Sequence, residues 1–361
     1  MEAGNGQSRE GNGLAGGTDG GRGGSPRRNR TRGLVIGGVI AGVLLFLTLG
    51  AVALVLLVGP GESGGGGGGG SAQPPETFGE RYVFGEGSDK IAVLPVAGTI
   101  ASEAPVALGA ATASPETLRN QLRQATEDRR VRAVVLEVDS PGGGVVPTDQ
   151  MHESIQDFKE ETGKPVVVSM GQTAASGGYY IATAADRIFA NENTLTGSLG
   201  VIFSYLNFTE AAEEYGIQQE VVKSGPFKDI GSSTREPTEE ELEILQAYGA
   251  EGYDQFVQVI VEGRGLSEEA VRELADGRVY SGQQAETLGL IDELGDLERA
   301  AEASRELAGV EEATVVRYQR QSPGLVDLLQ ARLATPKPDA LQVLETAGLN
   351  LTPELQYLYR P

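Results

Sequence analysis

Val131-Arg-Ala-Val-Val-Leu-Glu-Val-Asp-Ser-Pro-Gly-Gly-Gly144 decides the fold. Its first eight residues, dominated by valine and leucine, read as a strand that feeds a loop of three consecutive glycines. Working outward, a helix is expected near Pro147 to Glu161, then a strand over Pro165–Met170. Gly171-Gln-Thr-Ala-Ala-Ser176-Gly-Gly-Tyr-Tyr180 turns into another helix and leads to the strand Arg187-Ile-Phe-Ala. Upstream, Ile91-Ala-Val-Leu-Pro-Val reads as a strand. Ser114-Pro115-Glu116 starts a helix, with a capping hydroxyl, proline in the first turn and an acid at the positive end. Strand, crossover helix, strand argues for the α/β class, with largely parallel sheets flanked by helices. Thr238 to Gly263 is a long amphipathic helix that opens on glutamates, and Lys223 ends a further predicted strand. Beyond Glu312 come a short strand, Thr314–Tyr318, and an apolar tail broken by prolines.

Further out the composition changes. The chain has 361 residues, a net charge of -22, no cysteine and one histidine, His152. Disulfides, thiolate nucleophiles and cysteine-ligated metals are therefore excluded, and a His-ligated zinc site is disfavoured. Arg9, Arg22, Arg27, Arg28, Arg30 and Arg32 precede the first apolar run against Glu2, Glu10 and Asp19. That segment is basic and everything after it is strongly acidic, so nucleic acid is not an expected partner. Leu34 to Val58 is uncharged. As a helix it would rise roughly 37 Å, enough to cross a hydrocarbon core of about 30 Å. A cleaved signal peptide has a shorter apolar core and a small-x-small cleavage site, so an uncleaved anchor is the expectation. Arginines crowd only the N-terminal flank, which keeps that end in the cytoplasm and the rest of the chain outside, on the plasma membrane. The organisation expected is a disordered basic tail (1–33), a transmembrane anchor (34–58), a Gly-rich linker (59–89), a catalytic domain (90–311) and a C-terminal strand and tail (312–361). The seven consecutive glycines, Gly64–Gly70, are followed by no Gly-Lys-Ser/Thr and belong to the linker, not to a phosphate loop.

The chemistry is expected at two strand-to-loop junctions that parallel neighbours would bring side by side. In Asp139-Ser-Pro-Gly-Gly-Gly144, glycines let backbone N–H groups converge on one point, as an oxyanion hole requires; an ordinary strand-to-helix turn is the plainer reading. In Ala175-Ser176-Gly177-Gly178, a serine at a helix start keeps its hydroxyl clear of neighbouring Cβ atoms; a capping serine is the plainer reading. A serine nucleophile needs a base. His152 sits among polar neighbours on an expected surface helix with no partner carboxylate at a motif position, which makes it a poor base. A lysine serves instead if an apolar setting strips its charge, and Lys228, beside Phe227 in Lys223-Ser-Gly-Pro-Phe-Lys228-Asp-Ile-Gly, has such neighbours. Most lysines are solvated surface charges, and that is the plainer reading of this one.

These motifs, with Thr196-Gly-Ser-Leu-Gly-Val201 and Asp276-Gly-Arg-Val-Tyr-Ser-Gly282 in the same order, resemble the signal peptide peptidase A family in its short form. The likeness spans roughly Ile91 to Leu297. It implies a fold like that of the Clp protease proteolytic subunit and the crotonases, and a Ser-Lys dyad on Ser176 and Lys228. It further implies oxyanion donors from the backbone N–H groups of Gly143 and Gly177, and a supporting hydroxyl on Ser198. Implied too are an activity that needs no cofactor or metal, apolar peptide substrates such as spent signal peptides, and a homo-oligomeric ring in which the lysine reaches a neighbour's serine. A crotonase-like acyl-CoA enzyme and an inactive peptide-binding membrane scaffold would share the fold without needing the dyad.

Overall fold

The computed structural model describes residues 76–102, 111–320 and the backbone of 354–358. The apolar run 34–58, the basic tail and the glycine tract lie outside the described residues; among those described, no helix is long and apolar enough to cross a membrane. The elements in chain order are β1 (Phe78–Phe84), β2 (Asp89–Ala97), β3 (Thr99–Ile100), β4 (Thr112–Ala113), α1 (Pro115–Glu127), β5 (Val131–Ser140), β6 (Gly142–Gly144) and α2 (Val145–Thr162). There follow β7 (Val166–Ala175), α3 (Gly177–Ala182), β8 (Arg187–Ala190), β9 (Leu195–Gly197), β10 (Ile202–Ser204), α4 (Thr209–Glu214), α5 (Glu239–Arg264) and α6 (Glu268–Leu274). The chain closes with β11 (Val279–Ser281), α7 (Gly282–Thr287), β12 (Glu293–Leu294), α8 (Leu297–Ala308), β13 (Ala313–Arg320) and β14 (Glu354–Leu358).

The main sheet runs β1-β13-β2-β5-β7-β8-β12, with β9 also paired to β7 and β11 to β9. From β13 to β12 every neighbouring pair is parallel, while β1 and β11 are antiparallel additions. A parallel sheet needs both faces covered, and strand alternation supplies two apolar faces here. Ala92, Leu94 and Val96 of β2 and Val134, Leu136 and Val138 of β5 share one core with Met151, Ile155 and Phe158 of α2. Ile91, Val93, Ala133 and Val135 face the other way, onto Ala300, Ala301 and Ala303 of α8. Small alanines on α8 let that helix lie close against the sheet.

Helix ends follow their local chemistry. Ser114 caps α1 by accepting from the Thr117 N–H at 3.2 Å, and Thr238 and Glu241 form a reciprocal capping box on α5. Gly163 and Gly265 end α2 and α5 in the left-handed conformation.

Three expectations need correction. The stretch read as linker to residue 89 contains β1, which pairs antiparallel with β13. The strand read as C-terminal, β13, lies inside the main sheet between β1 and β2, so the sheet extends past both ends assigned to the catalytic domain. Lys223 ends no strand; residues 218–223 have no regular structure.

A second, smaller sheet runs β10-β14-β6-β3-β4. Its centre is the Gly142–Gly144 strand, parallel to β3 through Ile100 and antiparallel to β14.

Candidate active site

Strand register brings three loops to one end of the main sheet. Ser140 of β5 is paired with Ala174 of β7, so Gly142 and Ser176 each follow two residues later. Ala175 is paired with Gly197 of β9, so Ser176 and Ser198 each follow one residue later. Gly143, Ser176, Gly177 and Ser198 are therefore gathered by the parallel pairing itself.

The glycine loop is held from below. The Ser140 hydroxyl, fully buried, donates to the Gly98 carbonyl at 2.7 Å and accepts the Gly142 N–H at 3.1 Å. The Asp139 carboxylate accepts the Thr173 N–H at 3.0 Å, tying this loop to the strand that carries Ser176. Glycine is required at 143, where a Cβ would lie 1.9 Å from the Ile100 carbonyl oxygen. At 178 a Cβ would lie 2.6 Å from the Ser140 carbonyl oxygen, so the two glycine motifs close against each other.

Ser176 has φ 53° and ψ -117°, and only it and Ser198 (φ 51°) have positive φ among the described non-glycine residues. A Cβ in this region costs on the order of 1–3 kcal/mol, and such strain persists only where surrounding structure fixes it. What fixes it is visible. The Ser176 N–H donates to the Gly197 carbonyl at 2.8 Å, and its own carbonyl accepts from the Tyr180 N–H at 2.9 Å. Tyr179 and Tyr180 are both fully buried and anchor α3 behind it. Tyr179 donates to the Leu290 carbonyl and Tyr180 to the Asp149 carboxylate, each at 2.7 Å. The Ser176 hydroxyl caps no helix N–H, so the capping reading of this serine is not what the geometry favours. The residue is 1% exposed. Immediately after it come Gly177 and Gly178, in the first turn of α3, where N–H groups have no partner inside the helix.

Ser198 is half-buried, and its N–H donates to the Arg278 carbonyl at 2.7 Å. That bond ties the Thr196-Gly-Ser motif to the Asp276-Gly-Arg motif, a link the sequence order alone did not reveal.

His152 departs from expectation. It is buried on α2, with its ring edge-on to Tyr180 at 5.2 Å between centroids. Burial lowers its pKa to about 4, partly offset by Asp149 and Glu262. Tyr180 belongs to α3 and Glu262 to α5, elements distant in sequence, which local polarity could not report.

No strand pairing sets Lys228 beside the other four. It lies in an irregular stretch before α5 with its side chain exposed, and among the described residues its amine has no ion pair or hydrogen bond. Lys223 differs. Its amine contacts the Asp229 carboxylate at 2.6 Å and the Pro226 carbonyl at 2.9 Å.

Against this geometry, comparison with known proteins is informative. Residues 158–311 match the family model described as peptidase family S49. The chain is 36% identical to the "Putative signal peptide peptidase SppA" of Enterococcus faecium, over 76% of this chain and 82% of that protein. The chain belongs to peptidase family S49. It is also similar to the chloroplastic serine protease SPPA of Arabidopsis thaliana, 32% identical over 67% of this chain and 36% of that one. Protease 4 of Salmonella typhi is 35% identical over 65% of this chain and 38% of its own length. Membership makes the protein a serine peptidase of the signal peptide peptidase A kind, and the matched S49 region contains Ser176, Ser198 and Lys228.

Proposed function

We propose that this chain is a membrane-anchored endopeptidase that cleaves apolar peptides, spent signal peptides among them, with Ser176 as nucleophile and Lys228 as general base. The observation that carries the reading is Ser176 itself: a strained, buried serine with an uncommitted hydroxyl where three loops meet. A neutral Lys228 amine takes the hydroxyl proton as Ser176 Oγ attacks the peptide carbonyl. The Gly143 and Gly177 N–H groups receive the oxyanion. The ammonium returns its proton to the leaving amine, and water then releases the acyl group from Ser176. Ser198, one register step from Ser176, is suited to hold the amine.

A neutral lysine needs desolvation, since a free amine titrates near 10.4. A single chain leaves Lys228 exposed, so the cover has to come from another surface, and a second copy supplies it. In support, most of the large exposed apolar side chains of the described residues fall between Ile202 and Tyr248, around Lys228 in sequence. Tyr215, Ile217 and Val222 are the most open of them, and apolar surface of this kind marks contact with a partner.

An extended substrate is supported by the small sheet. The chain's own β14 lies antiparallel along the glycine strand, Tyr357 opposite Gly143, with β10 on its far side. A peptide held in that way gains main-chain hydrogen bonds irrespective of its sequence. The uncharged run 34–58 with its arginine flank supports a single-pass plasma-membrane anchor, N-terminus in the cytoplasm.

Hydrolysis of an apolar peptide by the full chain and by Ser176→Ala and Lys228→Ala tests the reading. Loss of at least about 10³-fold in both variants is expected; equal rates in Ser176→Ala would leave only the fold.

A further inference from the structure

At the start of α5 a cluster of charges ties down the loop that bears Lys228. Arg235 is its centre. Its Nε and Nη2 donate to the two Asp229 carboxylate oxygens at 2.9 and 2.8 Å, and Nη2 also reaches the Asp229 carbonyl at 3.2 Å. Its Nη1 donates to Glu241 at 2.8 Å, Nη2 contacts the other Glu241 oxygen, and Nη1 reaches the Glu236 carbonyl at 3.1 Å. Glu241 is itself fixed: 2% exposed, it accepts the Thr238 N–H at 2.9 Å in the α5 capping box. A continuous chain of contacts thus runs from the rigid start of a 26-residue helix to the residue next to Lys228.

We propose that Arg235 is a positioning residue for Lys228, which it serves by fixing the Asp229 backbone and by occupying the Asp229 carboxylate so that the lysine amine is left unpaired. The inference rests on Lys228 being the base. The cluster is electrically closed: Lys223 and Arg235 balance Asp229 and Glu241. The other charged groups that share the loop and the helix start are Glu236, whose carboxylate accepts from Asn207 at 2.8 Å, and Glu239 and Glu240, exposed on the first turn of α5. Asp229 is thus the nearest carboxylate in sequence to the amine, and its oxygens are taken by Arg235 and Lys223. Arg235 and Lys223 also hold the Asp229 carboxyl well below the usual carboxylate range, so it remains an anion over the whole working pH span. Without the guanidinium, Lys223 still holds one Asp229 oxygen but the other, Oδ2, loses its partner beside Lys228, and an opposite charge within reach favours the ammonium over the amine. A flexible loop would make this worse, because the lysine could then fold onto the carboxylate.

The test is the pH dependence of kcat/KM for an apolar peptide, measured on the full chain. In Arg235→Gln the ascending limb is expected to move up by about one pH unit, so that activity falls roughly tenfold at neutral pH and recovers toward the wild-type plateau in alkali. Asp229→Asn combined with Arg235→Gln should bring the limb back. Arg235→Lys, which keeps one positive charge but not the two-sided grip, should hold the limb near its wild-type place with a lower plateau, and it serves if the glutamine variant fails to assemble. A uniform loss at every pH in Arg235→Gln, with no return in the double variant, would overturn the proposal and reduce Arg235 to a structural prop. The base assignment is read separately from Lys228→Ala. If the limb persists there, that assignment fails; if it vanishes there but stays unmoved in Arg235→Gln, only the role of Arg235 fails.

Discussion

At the scale of single residues, the two positive-φ serines carry the most information. Ser176 follows Ala175 and Ser198 follows Gly197, the partners in one register step, so two strained backbones abut at the point where a hydroxyl is wanted. Around them the backbone packs closely because Gly143, Gly178 and Gly197 lack Cβ atoms, which would run into Ile100, Ser140 and Tyr280. His152 makes the complementary argument, since a lone histidine in a hydrolase invites a catalytic role that its packing against Tyr180 does not support. Its folded pKa, about 4, lies below the ordinary 6.5. The unfolded chain therefore binds a proton that the folded one refuses, and stability falls as pH drops from about 6.5 through about 4. His152→Gln should abolish that loss, worth on the order of 3 kcal/mol at full extent, while leaving peptide hydrolysis within about twofold at neutral pH. Urea unfolding at a series of pH values, with activity measured beside it, checks both halves.

At the scale of elements, what the sequence exposed was whatever local pattern dictates. The valine-rich runs of β2, β5 and β7 declared themselves because a strand buried on both faces is apolar throughout, and Ser114 and Thr238 marked helix starts through their own hydrogen bonds. The glycine motifs were equally legible, since their function is to remove Cβ atoms. Pairing between distant segments was not legible: β13 inserted beside β2, the burial of His152, the Ser198–Arg278 bond and the Arg235 cluster depend on partners far along the chain or on a fold already formed. Strand β14 belongs to this second group, because nothing in Glu354-Leu-Gln-Tyr-Leu358 announces that it will lie on Gly142–Gly144. If the glycine strand is the peptide-binding edge, this segment competes with substrate for it. A chain ending at Thr352 should then show a KM for apolar peptides lowered roughly three- to tenfold with kcat little changed. An unchanged KM would place the peptide elsewhere.

At the scale of the whole molecule, the described single chain brings together the proposed nucleophile and oxyanion donors and leaves the proposed base exposed. If a second copy covers the base as proposed, activity arises only on assembly. The exposed apolar residues between Ile202 and Tyr248 would give the proposed assembly a driving force, and closed rotational symmetry would repeat the same contact around a ring. Complementation follows directly. Ser176→Ala and Lys228→Ala chains, each inactive, should regain roughly a quarter of wild-type activity when co-assembled at equal amounts, because one junction in four pairs an intact serine with an intact lysine. A dyad within one chain would regain nothing.

The central claim is that Ser176 is made nucleophilic by Lys228, and covalent labelling addresses it most directly. Assembled full-length protein treated with a fluorophosphonate, digested and mapped by mass spectrometry should carry the adduct on Ser176, and Lys228→Ala should carry almost none. An adduct on another serine, or undiminished labelling of Ser176 in Lys228→Ala, would contradict the account.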